Sequence, residues 1–430
     1  MSRVRDLFFD EFYDELERVA DEIGAQREEN EAPPLLAPDV RGIWRDYIHD
    51  PKDRGEALIS VDGGVQFSHF AYGDFVAVGR ACALIHWPGR DRMLEKRVRL
   101  YVGEVYDDRD RGFIPAYVRT ICEYDAARRA AERVLEEGGR PIVLLDGSLY
   151  FARFPYAIRE YSHHAELLTE LFSSMSALRR LAKDRGFPLV AVAKDSSVFY
   201  LYMELLRGAV MRAGLGRLQE LLDDASSPMD LRMKAEALPD DDKKRIEPFI
   251  ERRPPCDAAL VKFSTGSEGY TRPLYLAPTI FYARDELPAL YNRIKRALDE
   301  ETSTAVRGAL ESFFTSPGVL TTYWRPTPKA EPFRVDIIAS SLGHPEPWRQ
   351  RERNLLLEEG ADMAPLEKVL NHLGHWFCND VEYNLPLKQA DTLARFDRDL
   401  YTRKYEPFII RRLEEAGRDV TGTRRMMREG

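Results

Sequence analysis

Cysteine is scarce in this chain. Its four cysteines, Cys82, Cys122, Cys256 and Cys378, are scattered over 430 residues and form no CxxC pair. That spacing argues against a zinc site and a disulfide framework, and it fits a reducing cytoplasm. Long apolar runs are lacking too: none reaches the roughly eighteen residues of a membrane-spanning helix, so no membrane partner is expected. The N-terminus has no signal-peptide core. Instead Leu7, Phe8, Phe12, Leu16 and Val19 recur at helical spacing among charges, which predicts an amphipathic helix packed on the protein. An excess of positive charge is also missing, because 63 Lys and Arg face 72 Asp and Glu for a net charge of −9. The whole molecule therefore lacks the basic field that usually supplies nucleic-acid affinity, although enough Lys and Arg remain to build one basic face.

What is present is an ordered series of strand and helix signals, with no internal repeat. After a polar, proline-containing linker (residues 27–38), residues 40–48 read as a short helix. Three β-type runs follow at residues 57–67 (ALISVDGGVQF), 75–85 and 98–106, separated by polar or turn-rich stretches as in an antiparallel meander. Residues 115–138 carry Ile121, Ala126, Ala127, Ala130, Val134 and Leu135 near helical spacing, ended by Gly138 and Gly139. PIVLLDGSLY, residues 141–150, is a fourth strand, continuously apolar like a central strand covered on both faces. A helix over 163–184 and a fifth strand over 187–193 come next. Residues 200–260 are polar and helix-prone, and least hydrophobic over 223–244. Strand-like runs return at 258–263, 277–282, 319–323 and 333–338, and a helix is expected over 364–373.

Three antiparallel strands, a helix, a central strand, a helix, another strand and a late helix form the ribonuclease H-like order. The expected fold is α/β: a ribonuclease H-like mixed sheet flanked by helices, with a helical insertion and N- and C-terminal helical extensions. The expected divisions are an N-terminal extension (1–50), the first part of the core (51–200), the insertion (201–260), the rest of the core (261–400) and a basic C-terminal tail (401–430).

Two of the strands run into an aspartate followed by glycine: Asp62 in SVDGG and Asp146 in LLDGS. A single Asp-Gly after a strand is ordinarily a turn cap. Two on neighbouring strands bring two carboxylates close enough to share a hard divalent cation, and the glycines permit close approach of backbone or phosphate. A third carboxylate is expected from the intervening helix. Glu123, in the pattern R-x-x-x-E-x-x-x-A with Arg119 and Ala127, leads over Glu132, Glu136 and Glu137, with the strand residue Glu104 behind it. A plain ion pair with Arg119 is the competing account of Glu123. Lys194 opens the loop after the fifth strand, where a lysine is either solvated or set against a phosphate. His163-His164 and His372-x-x-His375 read as pairs without a metal, since no third ligand stands at suitable spacing.

The joint order of SVDGG, VLLDGSL, AKDSS and the late Y-x-x-P-L-x-x-A resembles the NurA nucleases over residues 58–393. That resemblance implies a ribonuclease H-like, manganese- or magnesium-dependent nuclease holding two ions and acting on single- and double-stranded DNA, including as a 5′–3′ exonuclease. It implies a cytoplasmic homodimer that works with a hexameric HerA-type translocase on broken DNA ends. Carried over, the metal carboxylates match Asp62, Asp146 and Glu123, with Glu132 as the other helix candidate. The late tyrosine matches Tyr383. The family usually has histidine eight residues beyond that tyrosine, where this chain has Asp391. Aspartate also offers oxygen to such ions, and its presence leaves open both ligation and a divergent, weakened member.

Two rival classes compete. A non-catalytic adaptor docked on a translocase is compatible with the Asp391 departure. An actin- or sugar-kinase-like ATPase shares the fold superclass but requires a second phosphate loop, for which Phe263-Ser264-Thr265-Gly266 is a weak match.

Overall fold

The computed structural model describes residues 9–29, 35–50, 55–70, 74–106, 109–151, 154–155, 157–194, 196–214, 216–225, 227–251, 253–278 and 286–417. The chain forms two compact units, one of Met1–Trp44 and Ser196–Ser267, the other of Arg45–Asp195 and Glu268–Gly430.

The first unit is helical: Phe9–Glu29, Ala37–Ile43, Tyr200–Arg212, Gly216–Asp224, Pro228–Ala235, Asp240–Glu251 and Asp257–Ser264. Its charged residues are organised by local pairs. Buried Asp257 accepts from the backbone N–H groups of Leu201 and Tyr202 at 2.9 and 2.8 Å, so a carboxylate from one helix closes the N-terminus of another. Arg207 joins Glu204 and Asp223 at 2.6 and 2.8 Å.

Three expectations change here. Residues 258–263 are helix rather than strand, because a short apolar run fits either state and the Asp257 interactions favour the helix. Residues 40–48 divide, the helix ending at Ile43 before a short strand. The apolar face of the N-terminal helix is not packed away: Phe9, Phe12 and Leu16 stay exposed, while Leu7 and Phe8 lie outside the described residues.

The second unit is built on a mixed sheet. Its strands are β1 (Trp44–Asp46), β2 (Ala57–His69), β3 (Asp74–His86), β4 (Met93–Glu104), β5 (Pro141–Asp146), β6 (Leu189–Ala193), β7 (Gly269–Thr271), β8 (Leu274–Leu276), β9 (Val319–Arg325), β10 (Phe333–Ile338) and β11 (Leu355–Leu356). Their order is β1-β7-β9-β10-β6-β5-β2-β3-β4, with β8 joining β9 and β11. The meander β2-β3-β4 is antiparallel, as its short polar connections predict, and β2-β5-β6 is parallel. The strand-like run at 277–282 is displaced, since β8 ends at Leu276 and residues 279–285 lie outside the described residues.

Ile142, Val143, Leu144 and Leu145 of β5 are all buried, each contributing roughly 1.5–3 kcal/mol. The Asp110–Glu136 helix leads from β4 to β5, and Ile158–Arg185 leads from β5 to β6. Ile114, Val118, Ile121, Ala127 and Val134 form the buried stripe of the first of these. Asn384 caps the Leu385–Ala394 helix by accepting from the Leu387 N–H at 3.1 Å, and that helix packs on β2 and β3.

Candidate active site

Parallel pairing sets Val61 beside Leu145, so the next residues along the two strands, Asp62 and Asp146, are neighbours. Successive strand residues face opposite sides of the sheet, and the two glycines after Asp62 turn that alternation to use. A Cβ on Gly63 would stand 2.7 Å from Glu123 Oε1. One on Gly64 would stand 2.7 Å from the Ala394 carbonyl. The first glycine thus opens the sheet to the Asp110–Glu136 helix, and the second admits the end of the Leu385–Ala394 helix. What approaches closely here is protein rather than phosphate. Gly147, after Asp146, has φ 110°, a conformation other residues rarely adopt.

Around Asp146 the contacts are specific. The Tyr383 hydroxyl donates to Oδ1 at 2.8 Å, and Lys194 Nζ lies 3.4 Å from Oδ2. The same ammonium sits 4.6 Å from the centre of the Tyr383 ring. Tyr383 is buried and stacks on Phe333 at 5.5 Å. Its burial and the Asp146 charge hold the phenol above its ordinary range, so it stays a donor. Asp62 accepts from the Gly63 N–H at 2.7 Å. Burial, then the charges of Asp146 and Asp391, nevertheless lift its carboxyl to about 6. Burial lifts Glu123 to about 7, and Asp62 and Asp146 add to this against the opposing pull of Arg119.

Glu123 does form the ion pair with Arg119, at 3.3 Å, and lies close enough to Asp62 and Asp146 to feel their charges. Its side chain is 12% exposed and that of Arg119 48%, so the pair is too open on the arginine side to neutralise the cluster. Asp391 is half-buried and adds its charge to Asp62 and Tyr383. The structure therefore brings together Asp62, Glu123, Asp146, Lys194, Tyr383 and Asp391.

The other candidates lie elsewhere. Glu132 pairs with Arg128 at 2.6 Å beside a cleft lined by Asp125, Ser173 and Asp184. Glu137 pairs with Arg90 at 2.5 Å, and Glu104, on the exposed face of β4, accepts from the Tyr106 hydroxyl at 3.0 Å. His163 stacks on Tyr106, His164 Nδ1 is 3.0 Å from the Tyr101 hydroxyl, and His372 Nε2 is 3.4 Å from Glu56. Phe263 and Ser264 close a helix, so no strand leads into Thr265-Gly266.

One supporting network was missed by the sequence reading. Arg334 and Asp336 are buried on β10 and pair at 2.9 Å. Asp336 Oδ2 accepts from Ser148 Oγ at 2.7 Å and from the Leu149 N–H at 3.1 Å. This pair fixes the loop immediately after Asp146. Its signal was two opposite charges at alternate positions of the otherwise apolar FRVDII.

Four carboxylates near one another offer hard oxygen donors, the chemistry of magnesium or manganese sites. Among the described residues, no group of three or more His, Cys, Asp or Glu is already gathered tightly enough to cage an ion. The fit instead rests on charge. Asp62 and Glu123 are held above their ordinary range beside other acids, and an added cation would relieve that repulsion.

The α/β, ribonuclease H-like fold defines the class. The NurA domain family matches residues 56–396, most of the chain, and the protein belongs to that family. Its fold is similar to the crystal structure of the NurA nuclease from Sulfolobus solfataricus, with a TM-score of 0.50 at 12% identity, covering 94% of this chain and 98% of that one. A second NurA crystal structure aligns with a TM-score of 0.38 at 11% identity, over 95% of this chain and 99% of that one. No curated protein matches.

Proposed function

We propose that this protein is a divalent-metal-dependent deoxyribonuclease whose site is formed by Asp62, Glu123, Asp146, Lys194, Tyr383 and Asp391. The observation that carries the reading is the convergence of those side chains where β2 and β5 run side by side. Asp62, Glu123, Asp146 and Asp391 would hold two manganese or magnesium ions. Such ions, when bound, supply water activation and charge stabilisation for phosphodiester hydrolysis. Lys194 would meet the scissile phosphate as a point charge, and Tyr383 orients Asp146 through its hydroxyl. Glu123 and Asp62, protonated more readily than ordinary acids, would lose their protons on loading the metal.

Family membership supports the finer reading as well: cleavage of single- and double-stranded DNA, 5′–3′ exonuclease and single-strand endonuclease action at double-strand breaks, a homodimer, and work beside a hexameric HerA-type translocase in the cytoplasm. The test is degradation of linear DNA labelled at its 5′ or 3′ end, with manganese, with magnesium and with chelator. Cleavage that needs the metal and is lost in Asp146→Asn, with the melting temperature kept, is the expected result. Near-normal cleavage by Asp146→Asn would remove Asp146 from the site. No cleavage by the wild type under any condition would favour an adaptor.

A further inference from the structure

The β4 strand ends the sheet, and no strand pairs with its outer edge among the described residues. It is twelve residues long, and the face turned to solvent carries Leu94, Lys96, Val98, Leu100, Val102 and Glu104. Four of these are large apolar residues, with Val98 62% exposed and Leu100 45%. Long, apolar edge strands are normally shortened, charged or covered, because they template pairing with another chain. This one is neither short nor interrupted by proline, and the only charges on its solvent face are Lys96 and Glu104.

The sequence of the strand is complementary to itself. When two copies run antiparallel about a two-fold axis at Leu100, Lys96 of each stands opposite Glu104 of the other. Val98 then meets Val102, and Leu100 meets its own copy. The registers offset by two or four residues are worse: a shift of the axis to residue 98 or 99 sets Lys96 against Leu100 or Val102. A shift to 101 or 102 sets Glu104 against Val98 or Leu100. Opposite charges and apolar groups directly across an antiparallel pair stabilise it, and a charge left facing an apolar side chain does not. The Leu100 carbonyl now accepts from the Arg99 guanidinium, a contact that a paired strand would replace.

We infer that β4 is the homodimer interface, pairing edge to edge with β4 of a second copy about a two-fold axis at Leu100 and extending the sheet across both protomers. This rests on the homodimer reading above and adds the surface and the register. The test uses the full chain in a Cys378→Ser background, because Cys378 is exposed. Under mild oxidation Leu100→Cys should form a reducible covalent dimer, since directly opposed Cα atoms lie about 4.5–5.5 Å apart, within disulfide reach. Val98→Cys should not, because its copy sits roughly 13 Å along the strand.

Light scattering across concentration supplies a second readout. Lys96→Glu and Glu104→Lys should each weaken the dimer roughly tenfold, and the double variant should restore it. A wild type that is monomeric throughout overturns both the homodimer reading and this interface. A stable dimer in which Leu100→Cys fails to cross-link, or in which the charge reversals leave affinity unchanged, overturns the interface alone. Monomers that bind a hexameric translocase and lose it on Val98→Lys would assign the edge to that partner instead, and likewise overturn the pairing.

Discussion

Two carboxylates at strand β2 have opposite fates. Glu56 precedes its first residue, and Asp62 lies within it. Burial pushes Glu56 upward, but Lys368 at 2.5 Å and His372 at 3.4 Å outweigh burial and hold the carboxyl below its ordinary range. Burial pushes Asp62 upward too, and its neighbours Asp146 and Asp391 push the same way. The first is a carboxylate completed by cations from its own chain. The second stands among like charges that Lys194 and Arg119 only partly offset, an arrangement that costs stability and that is found at functional sites. The contrast separates an acid matched by cations of its own chain from one left among like charges, at two nearby points of the same segment.

Exchanging each acid for its amide tests the contrast most directly. Asp62→Asn should reduce metal-dependent DNA cleavage by roughly a thousandfold, since metal clamps supply several kcal/mol of transition-state stabilisation. Its melting temperature in chelator should hold or rise, because one member of a repelling set is gone. Glu56→Gln should do the reverse, lowering stability by about 1–3 kcal/mol while specific activity per folded molecule is unchanged. Calorimetry beside a cleavage assay reads both. Equal losses of stability in the two variants would erase the distinction.

A smaller effect is the pH dependence of the same site without metal. Asp62 titrates near 6 in the folded chain against an ordinary 3.8, so between those values the native state binds more protons than the unfolded state. Stability from this group is therefore present at low pH and is lost as pH rises through about 6. The total is at most about 3 kcal/mol. Glu56 has the opposite sign: its contribution is present at neutral pH and lost on acidification. Thermal unfolding in chelator from pH 4 to 7, as the difference between wild type and Asp62→Asn, isolates the falling slope. A difference that is flat or rises with pH would mean Asp62 feels no net repulsion.

Much of the second unit was legible because its strands are either alternating or continuously apolar, and both patterns report burial directly. The two Asp-Gly corners stood out because a carboxylate interrupts an apolar run. Glu123 could be ranked over Glu132 only by pattern, since both close i,i+4 pairs with arginine, and what distinguishes their surroundings is the approach of Glu123 to Gly63, far away in sequence. Residues 258–263 were read as strand because short apolar runs do not distinguish the two states. The Arg334–Asp336 pair escaped because its value depends on a loop of another strand lying above it. Long-range polar partners leave little mark on local periodicity, and that is where the sequence reading ran out.

The finest contrast lies within Asp146 itself, whose two oxygens meet different partners. Tyr383 donates to Oδ1 at 2.8 Å and Lys194 approaches Oδ2 at 3.4 Å. If the hydroxyl only orients the carboxylate, Tyr383→Phe should lower kcat about tenfold and leave KM for DNA near its wild-type value, the size expected of a group that positions a ligand. The ring would still stack on Phe333 and underlie Lys194, so the fold should be kept. Lys194→Met, by contrast, should raise KM more than it lowers kcat at moderate salt, because it removes a charge offered to phosphate. Raising the salt should shrink the Lys194 effect and spare that of Tyr383. A Tyr383→Phe variant as inactive as Asp146→Asn would place the phenol against the substrate itself, and the two oxygens of Asp146 would then no longer divide orientation from charge.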